Sequence, residues 1–150
     1  MDRRMRPPLD VAVCVTATVE WALGQVGSGS YETRCLSFVE DAYEIPNEIE
    51  VFGGDTAAES AEMYRAGRPT DIAPRGSFVF FATSGPIDGI VRAWGHVGLA
   101  LGDGRMVHAW PDIRVDPISD VPRLPSGDWT APRPLGWAAP ERILRDAVAR

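Results

Sequence analysis

Apolar and small residues return at Val11, Cys14, Val15, Thr18, Val19, Ala22 and Val26. That spacing is one buried stripe of an amphipathic helix, and Gly27 stands where such a helix would stop. A Gly/Ser run follows. Thr33 is then placed to cap a second helix over about residues 34–43, with Cys35, Val39 and Ala42 on one face and Leu36 and Tyr43 beside them. Thr56-Ala57-Ala58-Glu59 has the form of a capping box, opening a third helix that Gly67 and Pro69 would close. This helix is expected to pack or to cover a groove, without chemistry of its own.

Beyond Pro74-Arg75-Gly76 the period changes. The apolar, aromatic run SFVFFA predicts a buried strand over 77–82. The polar stretch TSGPIDG is expected to be a loop. Further strands are predicted over 96–101 and 105–110, and IRVDPI adds a short one. Six prolines between Pro117 and Pro140 predict a tail wrapping the surface in extended form, and ERILRDAVAR a short final helix. Helices first and strands later indicate an α+β fold with an antiparallel sheet.

The 150 residues fit one domain able to bury its own core. A net charge of −6 argues against nonspecific nucleic-acid binding, which needs a positive surface. No stretch has the length of a membrane-spanning helix. The charged opening through Arg3, Arg4 and Arg6 precedes no clean hydrophobic run with a cleavage site, so the first apolar segment is expected to be a helix of the mature protein. A cytoplasmic protein, or one exported by a route the sequence does not display, is the expectation. Two cysteines, Cys14 and Cys35, make no disulfide framework and are expected to be free, with Cys14 a small buried hydrophobe in the helical stripe.

The only two histidines, His96 and His108, lie on the two arms of one hairpin around Gly102-Asp103-Gly104-Arg105. Two turn geometries compete. A two-residue turn at Asp103-Gly104 pairs Leu99 with His108 and sends the imidazoles to opposite faces. A three-residue loop, with Gly104 left-handed in a G1 bulge, pairs Leu101 with Arg105. Gly98 then lies opposite His108, and the two rings share a face as diagonal neighbours about 7 Å apart at the backbone. The apolar pattern favours this second geometry: Val97, Leu99 and Leu101 fill one face, leaving His96, Gly98 and Ala100 as the floor of a site.

Cys35 falls in the first turn of its helix, where free amides and the dipole favour a thiolate and predict a lowered pKa. A second core cysteine is the competing reading. A thiol there and an imidazole pair on the sheet make a nucleophilic set. The sulfur attacks a carbonyl, His96 carries the proton to the leaving amine, His108 holds the His96 ring in its tautomer, and first-turn amides stabilise the oxyanion.

The series Tyr31…Cys35-Leu36-Ser37-Phe38-Val39, Pro74-Arg75-Gly76-Ser77-Phe78-Val79-Phe80-Phe81 and Gly95-His96-Val97-Gly98-Leu99…Gly102-Asp103-Gly104-Arg105-Met106-Val107-His108-Ala109 resembles the NlpC/P60 cysteine peptidases. The resemblance covers about residues 31–110, leaving a Pro-rich wrap over 111–150, and GHVG…VHA is its most specific part. It implies a minimal papain-like fold, N-terminal helices packed on a central antiparallel sheet, in one catalytic domain. It also implies hydrolysis of amide bonds in bacterial cell-wall peptides, commonly between D-γ-Glu and a diamino acid. By that likeness Cys35 is the nucleophile, His96 the base, His108 the orienting residue and Tyr31 a hydroxyl lining the site. Arg34 and Ser37 flank the nucleophile as substrate-binding candidates. The family's usual run is Asp-Cys-Ser-Gly, whereas here it is Arg34-Cys35-Leu36-Ser37, which reverses the charge offered to a ligand and predicts a carboxylate-bearing group near Arg34.

Rival readings remain. Two histidines and a cysteine could bind zinc, but their spacing matches no common zinc motif, and no cofactor is called for. The same side chains could sit in a catalytically silent binding module, and a Cys35 pKa no lower than that of a free cysteine would favour it. The set could also act on a non-murein amide or ester, by hydrolysis or acyl transfer, in wall recycling, phage lysis or a delivered toxin. Trp94 and Trp110 flank the histidines as walls of a cleft or as aromatic core edge. Asp112, Asp116 and Asp120 are expected to be solvated loop acids. The partner is therefore a small peptide, from the cell wall or elsewhere. Oligomeric state has no signature in the sequence.

Overall fold

The computed structural model describes residues 9–67 and 72–150. Pro69 and the N-terminal arginines lie outside the described residues. Helix α1 runs Val11–Leu23, capped by the Asp10 carboxylate, which accepts from the Val13 amide. It buries Cys14, Val15, Thr18, Val19 and Ala22 as the stripe predicts, but ends at Gly24 rather than Gly27. Val26 therefore falls outside the stripe and is exposed.

Helix α2 spans Cys35–Asn47 and turns Leu36, Phe38, Val39, Ala42 and Tyr43 inward. Thr33 does not cap it. Its backbone is left-handed (φ 59°), Arg34 takes the capping position, and no side chain caps the helix. Two bonds lock α2 in place: Tyr43 donates its hydroxyl hydrogen to the Gly76 carbonyl at 2.6 Å, and Asn47 Nδ2 donates to Thr18 Oγ1 at 3.0 Å. A two-residue strand β1 (Ile49–Glu50) leads to α3 (Ala57–Met63), where Thr56 Oγ1 accepts from the Glu59 amide as the capping box requires.

The central sheet contains β2 (Phe78–Ala82), β5 (His96–Ala100), β6 (Arg105–Ala109), β7 (Ile113–Pro117) and β8 (Arg133–Ala138). Their order is β7-β6-β5-β2-β8, and every neighbouring pair is antiparallel. One face, carrying Phe78, Phe80, Val97, Leu99 and Val107, packs beneath α1 and α2. The other buries Val79, Phe81, Ala100 and Met106 against Val121 of a 3₁₀ turn, Ile118–Arg123. The fold is α+β, helices on an antiparallel sheet.

Two expectations change. The tail is not only a surface wrap: β8 adds a strand to the sheet beside β2, and after α4 (Pro140–Leu144) a short β9 (Val148–Ala149) pairs with β1. Pro134 is tolerated because β8 is the sheet's edge, where a missing amide costs no ladder bond. TSGPIDG is not a plain loop. It forms most of the hairpin β3 (Gly85–Ile87) and β4 (Ile90–Arg92), turning at Asp88-Gly89 with φ of 50° and 78°, the positive values a tight two-residue hairpin turn demands.

That hairpin is fixed by a close approach. A Cβ on Gly85 would fall 2.1 Å from Cδ2 of Trp129, so only glycine lets the indole lie against the strand. Gly85→Ala should destabilise the protein by about 1–3 kcal/mol and shift its tryptophan emission, both read in a urea titration followed by fluorescence.

Candidate active site

The hairpin joining β5 and β6 takes the three-residue loop. The Leu101 amide donates to the Arg105 carbonyl at 2.9 Å, and Gly102 and Gly104 are left-handed. Leu99 pairs with Val107 and Ala100 with Met106. Continuing outward, Gly98 faces His108, and both imidazoles lie on the same face. His96 Nε2 is 2.8 Å from His108 Nδ1, with the rings edge to face and both buried.

The sulfur arrives from the other direction. The N-terminus of α2 carries Cys35 to β5, where the backbone of Val97, Leu36 and Cys35 itself favours the thiolate. Val97 is the residue after His96, so the sulfur sits against the strand beside that histidine. Cys35 and His96 line one cavity of about 660 Å³. His108 lies behind His96 and does not line it. Arg34, Ser37, Trp94 and Trp110, the substrate-binding candidates, also line this cavity. The Trp110 ring lies 4.8 Å from that of His96, and its Nε1 donates to the Pro125 carbonyl. Trp94 Nε1 donates to the Gly85 carbonyl.

Tyr31 is not among the lining residues. Its hydroxyl donates to Asp41 Oδ2 at 2.6 Å and its ring packs edge-on against Phe38, which spends both its polar and apolar ends on α2. Two features went unforeseen: Trp129 and the Pro86-Ile87 wall line the cavity. The N-terminus of α3, the helix expected to pack or to cover a groove, lines it as well.

Asp116 is no solvated acid. It is buried on β7, its Oδ2 2.8 Å from His108 Nε2, and Arg114 grips it through Nε at 2.7 Å and Nη2 at 2.9 Å. The signal was the strand itself: His108 pairs with Arg114, so a residue two further along IRVDPI returns to the His108 face. Asp112 is exposed, and Asp120 pairs with Arg123 at the surface.

Burial governs the electrostatics. It pushes the Cys35 thiol up to about 11 against the three amides, which act in the predicted direction and lose. The expectation of a lowered thiol pKa is therefore overturned. Burial, with the neighbouring His108, drives His96 well below its ordinary value, and burial lowers His108 as well despite Asp116. For Asp116 burial works upward, but the hydrogen bonds from Arg114 and His108 outweigh it and hold the carboxyl below its ordinary range. The carboxylate-bearing ligand expected at Arg34 meets an acidic cavity: Glu32, Glu40, Asp55 and Asp128 line it, while the Arg34 guanidinium lies over the Tyr31 ring. Both cysteines are free. Among the described residues no group of three or more His, Cys, Asp or Glu is arranged to hold a metal ion, and no helix is long and apolar enough to cross a membrane.

Two pH dependences follow from these shifts. Alkylation of Cys35 by iodoacetamide, followed on its peptide by mass spectrometry, should inflect near pH 11 rather than at the ordinary 9.0. Burial, then Glu44, Asp41 and Asp55, raises the Glu40 carboxyl from 4.5 to about 7. A raised folded value favours the native state fully below the unfolded pKa, and that contribution is lost as pH climbs through the folded one. Stability should thus fall between about pH 4.5 and 7, and Glu40→Gln should remove on the order of 1–3 kcal/mol of that slope in denaturant titrations.

No family model matches the sequence, and neither does any curated protein. Solved structures do. A protein described as similar to lipoprotein, of the NLP/P60 family, from Staphylococcus aureus superposes over 93% of this chain with a TM-score of 0.53 and 19% identity. The peptidoglycan hydrolase RipB from Mycobacterium tuberculosis superposes over 87%, with a TM-score of 0.51 and 19% identity. The chain spans 44% of the first protein's length and 68% of the second's. Its architecture is thus an NlpC/P60-like α+β fold.

Proposed function

We propose that this chain is a cysteine-nucleophile amide hydrolase acting on bacterial cell-wall peptides through Cys35, His96 and His108. The observation that carries the reading is the convergence of the Cys35 thiol and the His96 ring on one cavity, with His108 behind the ring at 2.8 Å. The wall substrate draws its support from RipB, a peptidoglycan hydrolase of the same fold.

With the thiol raised and His96 lowered, the resting pair is neutral on both sides near pH 7. Attack is then general-base catalysed: the sulfur bonds the carbonyl carbon as its proton passes to His96. The carbonyl oxygen becomes an oxyanion beside the uncapped amides of the α2 N-terminus, where donors already in place cost no reorganisation. His96 returns the proton to the departing amine. Water, activated by the same ring, then releases the acyl group from the sulfur.

The raised thiol also favours a second reading, the catalytically silent binding module, because a resting thiolate is absent. The two part on turnover. Digestion of purified muropeptides, read by mass spectrometry, should show cleaved fragments with wild type and a loss of about 10³-fold or more with Cys35→Ala or His96→Ala. An inert wild type on every wall fragment would overturn the murein assignment. An alanine variant as active as wild type would overturn the nucleophile.

A further inference from the structure

We propose that Asp116, clamped by Arg114, is a positioning residue that sets the proton register of both histidines and leaves His96 Nδ1 as the bare, basic nitrogen. The register follows from donor and acceptor chemistry along one chain of contacts. Arg114 has only donors, and two of them hold the two carboxylate oxygens at 2.7 and 2.9 Å. A carboxylate so held is an acceptor only. His108 Nε2, 2.8 Å from Oδ2, must therefore carry the hydrogen and donate it.

A neutral imidazole has a single N–H, so His108 Nδ1 is left as an acceptor. It lies 2.8 Å from His96 Nε2, which must donate in turn. Neutral His96 then has its lone pair on Nδ1. One buried carboxylate thus decides, through two rings, which nitrogen of the cavity-facing histidine can take a proton. The catalytic consequence rests on the reading of His96 as base; the tautomers do not.

The fold builds this without special strain. The β6–β7 register pairs His108 with Arg114 and Met106 with Asp116, so Asp116 is a diagonal neighbour of His108 on its own face. Arg114 reaches the carboxylate from the solvent side, two residues back along the same strand. No other carboxylate is recorded within bonding distance of either imidazole among the described residues.

The chain's two imidazoles make the test direct. Protein labelled with ¹⁵N-histidine, observed by long-range ¹H–¹⁵N correlation at pH 7.5, should show His96 and His108 both as the Nε2–H tautomer. In Asp116→Asn the amide oxygen turns to Arg114 and its NH₂ faces His108 Nε2. His108 should then switch to Nδ1–H and drive His96 to Nδ1–H, with a fall in hydrolysis on the order of 10³-fold. Wild-type His108 as Nδ1–H would overturn the proposal, and so would a folded Asp116→Asn with both tautomers unchanged. Should that variant not fold, the wild-type spectrum decides alone. Cys35→Ala should keep the wild-type tautomers, so a chain inert on every substrate sinks the functional reading without touching this one.

Discussion

A one-residue difference in the β5–β6 loop controls everything at the site. Side chains alternate along a strand, so slipping the pairing by one residue moves an entire set to the opposite face. The three-residue loop from Gly102 to Gly104, with both glycines at positive φ, sets the register that brings His96 and His108 together. The same register sends Val97, Leu99 and Val107 into the core beneath the helices. Burial of each such side chain contributes about 1.5–3 kcal/mol. The hydrophobic core therefore enforces the histidine geometry, and no separate device is needed to hold the rings on one face.

The Cys35 end of α2 rests on a complementary concession. Helix α2 begins without a side-chain cap, which costs about 1 kcal/mol relative to a well-capped helix. Its first amides meet no side-chain cap, and those of Cys35 and Leu36 act on the thiol. The helix can bear that loss because its body is anchored elsewhere, through the buried Phe38, Val39 and Ala42 and the Tyr43 bond to Gly76. The left-handed Thr33 shows why a sequence-based capping argument fails here: the residue type suits a cap, but the turn delivers Arg34 to the position instead.

What periodicity could reveal, it revealed. The α1 stripe, the α2 face, the capping box at Thr56 and the strands β2, β5, β6 and β7 all announce themselves through spacing, and the hairpin register follows from which face is apolar. What escaped has physical reasons. Strand β8 hides because Pro132 precedes it and Pro134 breaks its pattern, yet an edge strand tolerates a proline. The β3–β4 hairpin hides because two three-residue strands carry no measurable alternation. Asp116 reads as a solvated acid because alternation along IRVDPI does not show which strand lies beside it. Only the pairing of β7 to β6 shows what it faces. Tyr31 misled in the opposite sense, since nothing in the sequence shows that Asp41, ten residues on, takes its hydroxyl.

The thiol pKa exposes a more general tension. Helix dipole and amide donors are arguments about attraction, and they are local to a few residues. Desolvation is an argument about everything else packed around the sulfur, which a sequence does not display. In this site desolvation moves Cys35, His96 and His108 toward their neutral forms, and Asp116 alone keeps its charge, because Arg114 compensates it. In the proposed reaction a neutral thiol and a neutral imidazole would have to create a charge pair, within a medium that opposes isolated charges. The fixed negative charge at the end of the two-ring chain would then be worth most at the moment His96 became an imidazolium, and little before it. An interaction that strengthens only as the proton moves lowers the barrier without deepening the resting state. On the proposed reaction, a carboxylate two rings from the cavity would belong to the chemistry of the site as much as to its architecture.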